Sequence, residues 1–260
     1  MTSWRNLKPE KIEIIFTDID GTLTTDGRIS SEVYQALWQL NQAGKKIIPV
    51  TGRPAGWCDA IARLWPVHGV IGENGGLVYR YDGRKMKRHE FISPKVRREY
   101  RLKLKTIAQE VRQQIPAARI SADQFCRRFD LAIDFAEDIS PPLPEKDIQR
   151  IKSIFEKYGA TAKISNIHVN GWFGDYDKLS ACLWYCKKHL DFNLNEHQHR
   201  VAFVGDSPND EPMFGFFKNS FAVANVKDFL KQMKSHPTYI ATATEGAGFV
   251  ELARRLLRLG

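Results

Sequence analysis

The feature that most constrains this chain is a short apolar run that ends in two closely spaced acids. Residues 12–16 have the length and β-branched content of a buried strand, and Asp18 and Asp20 follow them directly. In an extended chain, residues two apart point the same way, so these carboxylates would repel each other and lose solvation. Such a pair usually has a cation, a proton or a reaction beside it. By itself, the pair is equally consistent with a strand end closed by an Asx turn.

Strand and helix patterns alternate along the first third of the chain. A helix pattern that starts at Ser30 or Ser31 and ends near Gly44 is followed by an apolar run at 46–50 that ends in T-G-R-P. A second helix pattern passes through residues 60–64, and the run 67–71 ends in G-E-N-G-G. This rhythm predicts an α/β fold with a parallel sheet, in which ligands bind at the carboxyl ends of the strands.

The pattern changes near residue 77 and returns near residue 177. Between them, runs at 77–81 and 87–92 flank a D-G turn and predict a hairpin. We then expect a helix over 94–114, strands at 119–121 and 128–135, a helix over 145–158 and a strand or hairpin at 162–170. We therefore predict an α+β module at residues 80–171, inserted into a core formed by residues 1–79 and 172–260.

The α/β rhythm of the last third supplies a further set of polar strand ends. Lys178 opens a helix pattern, and the strand 201–204 ends in G-D-S-P-N-D at 205–210. Strands at 220–223 and 238–240 and a helix over 247–259 complete the expected core.

Composition narrows the class of protein. The formal net charge is +9, and residues 80–170 carry 20 Lys and Arg against 12 Asp and Glu, a net of +8. A basic segment suggests nucleic-acid binding, but seven of these 20 basic residues fall on the helix pattern 94–114 without interleaved aromatics, which favours a solvated helix face. The four cysteines lack a C-x-x-C pair and read as free, buried thiols. No stretch is long and apolar enough to span a bilayer, so we expect a cytoplasmic protein.

The strand ends together carry the chemistry of phosphoryl transfer. Carboxylate oxygens gathered at one sheet edge form a site that Mg²⁺ prefers, and a lone lysine would neutralise part of their charge. Phosphoryl transfer requires a nucleophile, a metal, donors to the phosphoryl oxygens and a general acid. The side chains that we expect to meet at this edge are Asp18, Asp20, Thr51, Lys178, Asp206, Asn209 and Asp210.

Four motifs in this order resemble the phosphatases of the haloacid dehalogenase-like superfamily: D-I-D-G-T-L-T at 18–24, T-G-R at 51–53, Lys178 and G-D-S-P-N-D at 205–210. The resemblance implies that Asp18 attacks phosphorus and forms an aspartyl phosphate, while Asp20 protonates the leaving group and then activates water. It further implies that Thr51 and Lys178 hold the phosphoryl oxygens, and that Asp18, Asp206 and the backbone carbonyl of Asp20 bind Mg²⁺. Supporting roles toward metal or phosphate fall to Thr22, Gly52, Asn209 and Asp210.

The insert is similar to the type IIB cap of that superfamily, which implies a Rossmann-like core closed by an α+β lid. The phrases G-E-N-G-G at 72–76, H-V-N-G at 168–171 and D-K-L-S-A at 177–181 look closest to archaeal-type phosphoglycolate phosphatases and to sucrose-phosphate or mannosyl-3-phosphoglycerate phosphatases. In contrast to the family pattern, the segment 170–176 carries bulky aromatic residues, and Trp172 could either stack on a sugar or plug the hinge.

Seven further residues are candidates for substrate contact, and Glu73 is the weakest of them. Arg53 could bind phosphate or pair with a carboxylate, and Asn74, like the weaker candidate Glu73, sits at a strand end beside the hinge. The other four lie in the insert, where a cap ion pair or a structural hydrogen bond is the competing interpretation: Arg127, Arg128, His168 and Asn170.

These residues predict a Mg²⁺-dependent phosphomonoesterase acting on a small phosphorylated metabolite, either a sugar phosphate or a phospho-acid such as phosphoglycolate. A phosphomutase on the same fold is the alternative enzyme, and a basic nucleic-acid-binding module is the alternative of another class. We expect a small phosphorylated substrate, no membrane or nucleic-acid partner, and a monomer or homodimer.

Overall fold

A parallel five-stranded sheet forms the centre of the protein. A computed structural model describes residues 9–257 of the 260-residue chain. The strands are β1 (Ile14–Thr17), β4 (Lys46–Pro49), β12 (Val201–Gly205), β13 (Asn219–Ala222) and β14 (Tyr239–Ile240). They lie in the order β14-β13-β12-β1-β4, and all neighbours are parallel. The acidic pair therefore follows a strand that has a neighbour on both sides.

Helices cover both faces of this sheet. They are α1 (Ser31–Gln42), α2 (Ala55–Leu64), α5 (Lys178–His189), α6 (Glu211–Phe216) and α7 (Glu245–Leu256). Since successive strand residues point to opposite faces, Ile15 packs with Leu37 and Phe249 in one apolar cluster, while Phe16 packs with Tyr185 in another. This three-layer arrangement is the predicted α/β core, and the fold class is confirmed.

An antiparallel segment leads from the core into the insert. It consists of β5 (Val70–Gly72), β6 (Leu77–Tyr81) and β7 (Met86–Glu90). A single parallel bridge between Val50 and Ile71 joins β5 to the edge of the core sheet. A second small hairpin, β2 (Thr24–Thr25) with β3 (Arg28–Ile29), follows the acidic motif and was not predicted.

The insert is an antiparallel sheet covered by two helices on one face. Its elements are α3 (Pro94–Gln114), β8 (Arg119–Ile120), β9 (Asp130–Asp134), α4 (Glu145–Lys157), β10 (Thr161–Ile164) and β11 (His168–Trp172), with sheet order β10-β11-β9-β8. Side chains of both helices and of Val169 share one apolar cluster. We call this α+β layer the cap. The boundaries at 79/80 and 171/172 remain a prediction.

The predicted helices and strands are present close to their expected positions, whereas α6, like the β2–β3 hairpin, was not predicted. The last two residues predicted for the C-terminal helix, 258–259, lie outside the described residues. In α5, the fully buried face carries Lys178, Ala181, Cys182, Tyr185 and Cys186, and Leu179 and Leu183 are partly buried against the apolar cluster that contains Phe16. The four cysteines are free thiols as predicted, although Cys126 is only partly buried. Within residues 9–257, every helix is too short or too polar to cross a membrane.

Candidate active site

The end of β1 brings together a lysine and two carboxylates from distant parts of the chain. Asp18 is anchored by its N–H, which donates to the Val204 carbonyl at 2.8 Å. Lys178, the first residue of α5, donates from Nζ to Asp18 Oδ1 at 2.8 Å and to Asp210 Oδ1 at 2.8 Å. It also donates to Asn209 Oδ1 at 3.1 Å. The ammonium thus lies between the acid of the first motif and the acid of the last.

Asp206 is held by side chains from three segments. Its Oδ1 accepts a hydrogen bond from the Thr22 hydroxyl at 3.2 Å. Its Oδ2 accepts from Asn166 Nδ2 at 2.8 Å and from Asn225 Nδ2 at 2.9 Å. Gly21 approaches so closely that an added Cβ would lie 2.6 Å from Asp206 Oδ2, and its φ of +75° already favours glycine. The turn after Asp20 therefore needs Gly21 for both reasons.

The buried acids crowd one another, and this crowding fits a divalent cation. Asp18, Asp206 and Asp210 each offer an oxygen, and the three oxygens lie within 4.8 Å of one another. Burial, together with the charges of Asp210 and Asp206, raises the pKa of Asp18 well above its usual range, although Lys178 opposes the rise. Burial and Asp210 raise the pKa of Asp206 to about 7. A hard cation would stabilise the ionised forms of these acids.

Lys178 and Asp210 form the cationic side of this cluster. Burial alone would lower the pKa of Lys178, but the charges of Asp18 and Asp210 outweigh burial and raise it. Both oxygens of Asp210 are occupied, since Oδ1 binds Lys178 and Oδ2 accepts from the Asp206 N–H at 3.1 Å. Asp210 therefore supports both the Lys178 ammonium and the backbone of Asp206.

The T-G-R turn follows β4 and aims its arginine at Asp20. The Thr51 hydroxyl accepts a hydrogen bond from the Arg53 N–H at 3.0 Å, so it stabilises the turn. Arg53 binds both carboxylate oxygens of Asp20, with Nη2 at 2.7 Å and Nε at 3.0 Å. Its Nη1 lies 2.7 Å from Glu137 Oε1 in the cap. Of the two interpretations of Arg53, the structure shows carboxylate pairing.

A small cavity separates these core residues from the cap. Its volume is about 20 Å³, which is room for about one water molecule. Both core and cap contribute to its wall, which consists of Asp18, Asp20, Gly52, Arg53, Asn74, Arg127, Lys163, Ser165, Asn166, Ile167, His168, Asn170, Ser207 and Asn209. The buried Thr51 is outside this set, as are Lys178 and Asp206.

Of the candidates for substrate contact, two from the cap sheet reach the cavity through polar networks. His168 Nε2 lies 2.9 Å from Glu137 Oε2. Asn170 Nδ2 donates to Asp130 Oδ2 at 3.0 Å. Asn74, from the core, has a φ of +55° and exposes only 5% of its surface, and its Nδ2 has no hydrogen-bond partner among the described residues. Asn74 thus offers the cavity a buried amide donor that has no acceptor within residues 9–257.

The two cap arginines differ in position. Arg127 is buried, pairs with Asp130 at 3.0 Å and donates to the Gly52 carbonyl at 2.8 Å, so it ties the cap to the T-G-R turn. Arg128 points away from the cavity, and its Nε lies 2.6 Å from Glu90 Oε1. Arg128 is therefore in a cap ion pair in this conformation.

The contacts of Trp172 and Glu73 are structural and lie outside the cavity. Trp172 is 1% exposed and donates from Nε1 to the Tyr176 carbonyl at 3.2 Å, so it packs at the hinge and does not line the cavity. The Glu73 carboxyl group accepts from the N–H groups of Ala55, Arg128 and Phe129. Glu73 therefore joins the core to cap backbone, and it too lies outside the cavity wall.

Comparison with known proteins assigns the family. A family model of haloacid dehalogenase-like hydrolases matches residues 15–114 and 142–250, which is most of the chain. The chain belongs to the haloacid dehalogenase-like hydrolases. A phosphoglycolate phosphatase of Pyrobaculum neutrophilum is 29% identical to this hydrolase over 252 residues, covering 95% of this chain and 97% of the relative. The family and such relatives show that the hydrolase is a phosphatase.

Solved structures support the fold of this hydrolase. A protein of Thermoplasma acidophilum superposes with a TM-score of 0.73 at 19% identity, covering 95% of this chain and 98% of the other. The sucrose-phosphatase of Synechocystis, solved with sucrose and phosphate, superposes with a TM-score of 0.62 at 14% identity, covering 94% and 97%. At these identities, the likeness extends to the fold alone.

Several residues of the site escaped the sequence interpretation of this hydrolase. The cap residues among them, Glu137, Lys163 and Asn166, fall in strand ends and loops without a motif. Asn225, which donates to Asp206 and to the Gly21 carbonyl, lies after β13, whose carboxyl end was the available signal. Glu137 also lies within residues 115–141, which the family model does not match.

Proposed function

We propose that this phosphatase is a Mg²⁺-dependent phosphomonoesterase that works through an aspartyl phosphate on Asp18. The observation that carries the proposal is the buried cluster in which Lys178 bridges Asp18 and Asp210. One oxygen each of Asp18, Asp206 and Asp210 lies within 4.8 Å of the other two, which is close enough to share a metal ion. A buried, lysine-bound carboxylate at the end of a parallel strand is well placed for nucleophilic attack. The side chains around it can bind an anion and neutralise its charge.

In the proposed first step, Asp18 displaces the alcohol from the phosphate ester. Lys178 engages Asp18 Oδ1 and thereby orients Oδ2 toward phosphorus. A bond forms between Oδ2 and phosphorus while the ester P–O bond breaks, and the departing oxygen takes a proton from Asp20. Arg53 holds Asp20 through both carboxylate oxygens, so it positions the proton donor.

In the second step, water attacks phosphorus and Asp20 accepts a proton from that water. The bond between phosphorus and Asp18 breaks, inorganic phosphate leaves, and both aspartates return to their starting states. Mg²⁺, held by Asp18, Asp206 and the backbone carbonyl of Asp20, would supply positive charge to the phosphoryl oxygens. Thr51, Gly52 and Asn209 surround the phosphate position in this proposal, and Thr22 keeps Asp206 in place.

The proposed substrate is a small phosphorylated metabolite, either a phospho-acid such as phosphoglycolate or a sugar phosphate. Support for the first comes from the curated relatives, several of which are phosphoglycolate phosphatases. The second is considered because a protein that shares the fold is a sucrose-phosphatase of Synechocystis, solved with sucrose and phosphate. The cap must move to admit either substrate, because the cavity has room for about one water molecule.

The test is phosphate release from a panel of phosphorylated acids and sugars, with and without Mg²⁺, by the wild type and two variants. Asp18→Asn should form no phosphoenzyme and should release no phosphate. Asp20→Asn should slow turnover but leave Mg²⁺ affinity, measured by calorimetry, largely unchanged, because only its backbone carbonyl is expected to reach the metal. A folded wild type that released phosphate from no member of the panel, or an Asp18→Asn variant with full activity, would contradict the proposal.

A further inference from the structure

One face of the cap sheet points toward the catalytic cavity. Residues alternate between the two faces of a strand, so His168 and Asn170 of β11 share the face that lines the cavity. Lys163 of β10 is the register partner of Asn170 and lies on the same face. Ala162 and Val169, on the opposite face, pack into the apolar cluster with the cap helices. The strand register therefore places the Lys163 side chain at the cavity.

Lys163 differs from the other cationic residues near this site because it has no carboxylate partner among residues 9–257. Arg53 is paired with Asp20 and with Glu137. Arg127 is paired with Asp123 and Asp130, and Lys178 with Asp18 and Asp210. Within residues 9–257, no carboxylate lies at ion-pair distance from Lys163. Lys163 is solvent-exposed, so water solvates its charge in the closed conformation, and within residues 9–257 it is the Lys or Arg of the cavity wall that lacks a carboxylate partner.

A second donor without an acceptor lies in the same cavity. Asn74 is 5% exposed, and its Nδ2 makes no hydrogen bond within the described part of the chain. Asn74 and Lys163 also line a neighbouring cavity of about 60 Å³, together with Trp172 and Lys178. Burying an amide without a partner costs free energy, so such a group is expected to meet a ligand acceptor.

The charge of these donors restricts what the acceptor can be. The closed cavities, of about 20 and 60 Å³, are too small for any phosphate ester, so the cap must move for a sugar and for an acid alike. Lys163 supplies a cationic donor for which the described residues hold no carboxylate partner, and Asn74 supplies a neutral donor. A small anionic group can accept from both and gains more from the lysine than a neutral hydroxyl group does.

We infer that this hydrolase selects phosphate esters whose alcohol carries a carboxylate, and that Lys163 is the specificity-determining residue. In this assignment, Lys163 Nζ pairs with the substrate carboxylate and Asn74 Nδ2 donates a hydrogen bond to it, while the phosphate lies against Asp18. The inference rests on the proposed phosphomonoesterase function and narrows its substrate class to small phospho-acids.

The test compares phosphoglycolate with 2-hydroxyethyl phosphate, which replaces the carboxylate by a neutral hydroxymethyl group. Both are assayed with Mg²⁺ for the wild type, Lys163→Met and Lys163→Arg. Lys146→Met is the matched control, because Lys146 is an exposed lysine on α4 and does not line the cavity. Urea unfolding of each variant verifies that the fold is intact.

The wild type should prefer phosphoglycolate, and Lys163→Met should lower kcat/KM for this substrate about 10- to 100-fold, mainly through KM. For 2-hydroxyethyl phosphate, kcat/KM of the same variant should stay within about twofold of the wild type. Lys163→Arg should recover part of the activity lost on phosphoglycolate. Lys146→Met should match the wild type on both esters.

Three results would overturn the inference. If Lys163→Met slows both esters equally, or neither, Lys163 does not read the carboxylate. If the wild type hydrolyses sugar phosphates but not phosphoglycolate, the substrate class is wrong while the proposed phosphomonoesterase function stands. If the wild type releases phosphate from no ester, both the inference and the proposed function fall.

Discussion

The ion pair between Arg53 and Glu137 is the contact through which the cap reaches the proposed general acid, and Glu137→Gln tests its strength. Glu137 Oε1 lies 2.7 Å from Arg53 Nη1, and Oε2 lies 2.9 Å from His168 Nε2. The pKa of Glu137 falls from its ordinary value of 4.5 to about 2. Burial alone would raise this pKa, but the hydrogen bond from His168 and the charge of Arg53 outweigh it.

The magnitude of the effect follows from that shift. A lowering from 4.5 to about 2 corresponds to at most about 3.4 kcal/mol in favour of the folded, ionised state. Because the Glu137 side chain is 27% exposed, solvent screening reduces this figure, and we expect Glu137→Gln to lower the free energy of unfolding at pH 7 by about 1–2 kcal/mol. KM should also change, since the variant loosens the closed cap.

The sign of the pH dependence follows from the depressed pKa. The stabilisation is fully present above the ordinary pKa of 4.5 and is lost as the pH falls through about 2. At about pH 3.5, the difference between the wild type and Glu137→Gln should therefore be roughly 40% smaller than at pH 7. Urea unfolding at the two pH values measures both quantities.

A matched control distinguishes the loss of the Arg53–Glu137 ion pair from the effect of removing any other carboxylate from the cap. Glu156 pairs with Lys152 one helical turn away, and its side chain is 52% exposed. Glu156→Gln should change the free energy of unfolding by less than about 0.5 kcal/mol at pH 7. The reasoning would be refuted if Glu137→Gln were no more destabilising than Glu156→Gln, or if its effect did not shrink in acid.

Three further predictions concern the core, the cap packing and the half-buried His68. Lys178→Met leaves Asp18 and Asp210 without their cation, so it should lower the free energy of unfolding by about 3–5 kcal/mol. MgCl₂ should restore part of this stability, and an unchanged urea midpoint would contradict the prediction. Gly171→Ala places a Cβ against the Phe155 ring and should cost at least about 1–3 kcal/mol, whereas an unchanged thermal midpoint would show that the cap has space there. Burial, with smaller contributions from Arg80 and Lys46, lowers the pKa of His68 to about 4. The NMR titration of His68 should therefore occur near pH 4. The stability that the neutral imidazole contributes should be lost as the pH falls from about 6.5 to 4.

The parts of the site that sequence reasoning reached are those that lie at strand ends. In a parallel α/β sheet, the strands all finish at one edge, so Asp18, Thr51 and Asp206 had to approach one another once their strands were recognised. Lys178 could be added because it opens the helix α5, whose N-cap residue Asp177 accepts a hydrogen bond from the Ser180 N–H. Periodicity and turn chemistry are local properties, and local properties can be read from the chain.

The hairpin at 77–90 and the cap helices were predictable for the same local reason. Residues 94–114 show an amphipathic period, with Ser93 accepting from the Val96 N–H at the helix start. By contrast, the two-residue strands of the β2–β3 hairpin are too short for a period to be detected.

The feature on which this chain is built, the pair Asp18 and Asp20, illustrates the division between the two kinds of information. The sequence by itself determined that these acids end a buried strand and that other acids and a lysine join them. Only the tertiary structure decided that their environments differ, with Asp18 bound by Lys178 and Asp20 by Arg53. The physical reason is that Arg53 meets Glu137 across 84 residues of chain and Asn166 meets Asp206 across 40, and such contacts depend on how the cap packs on the core. The packing of the core therefore gives Asp18 and Asp20 their partners, and the packing of the cap adds Glu137, Asn166 and the position of Lys163 at the cavity.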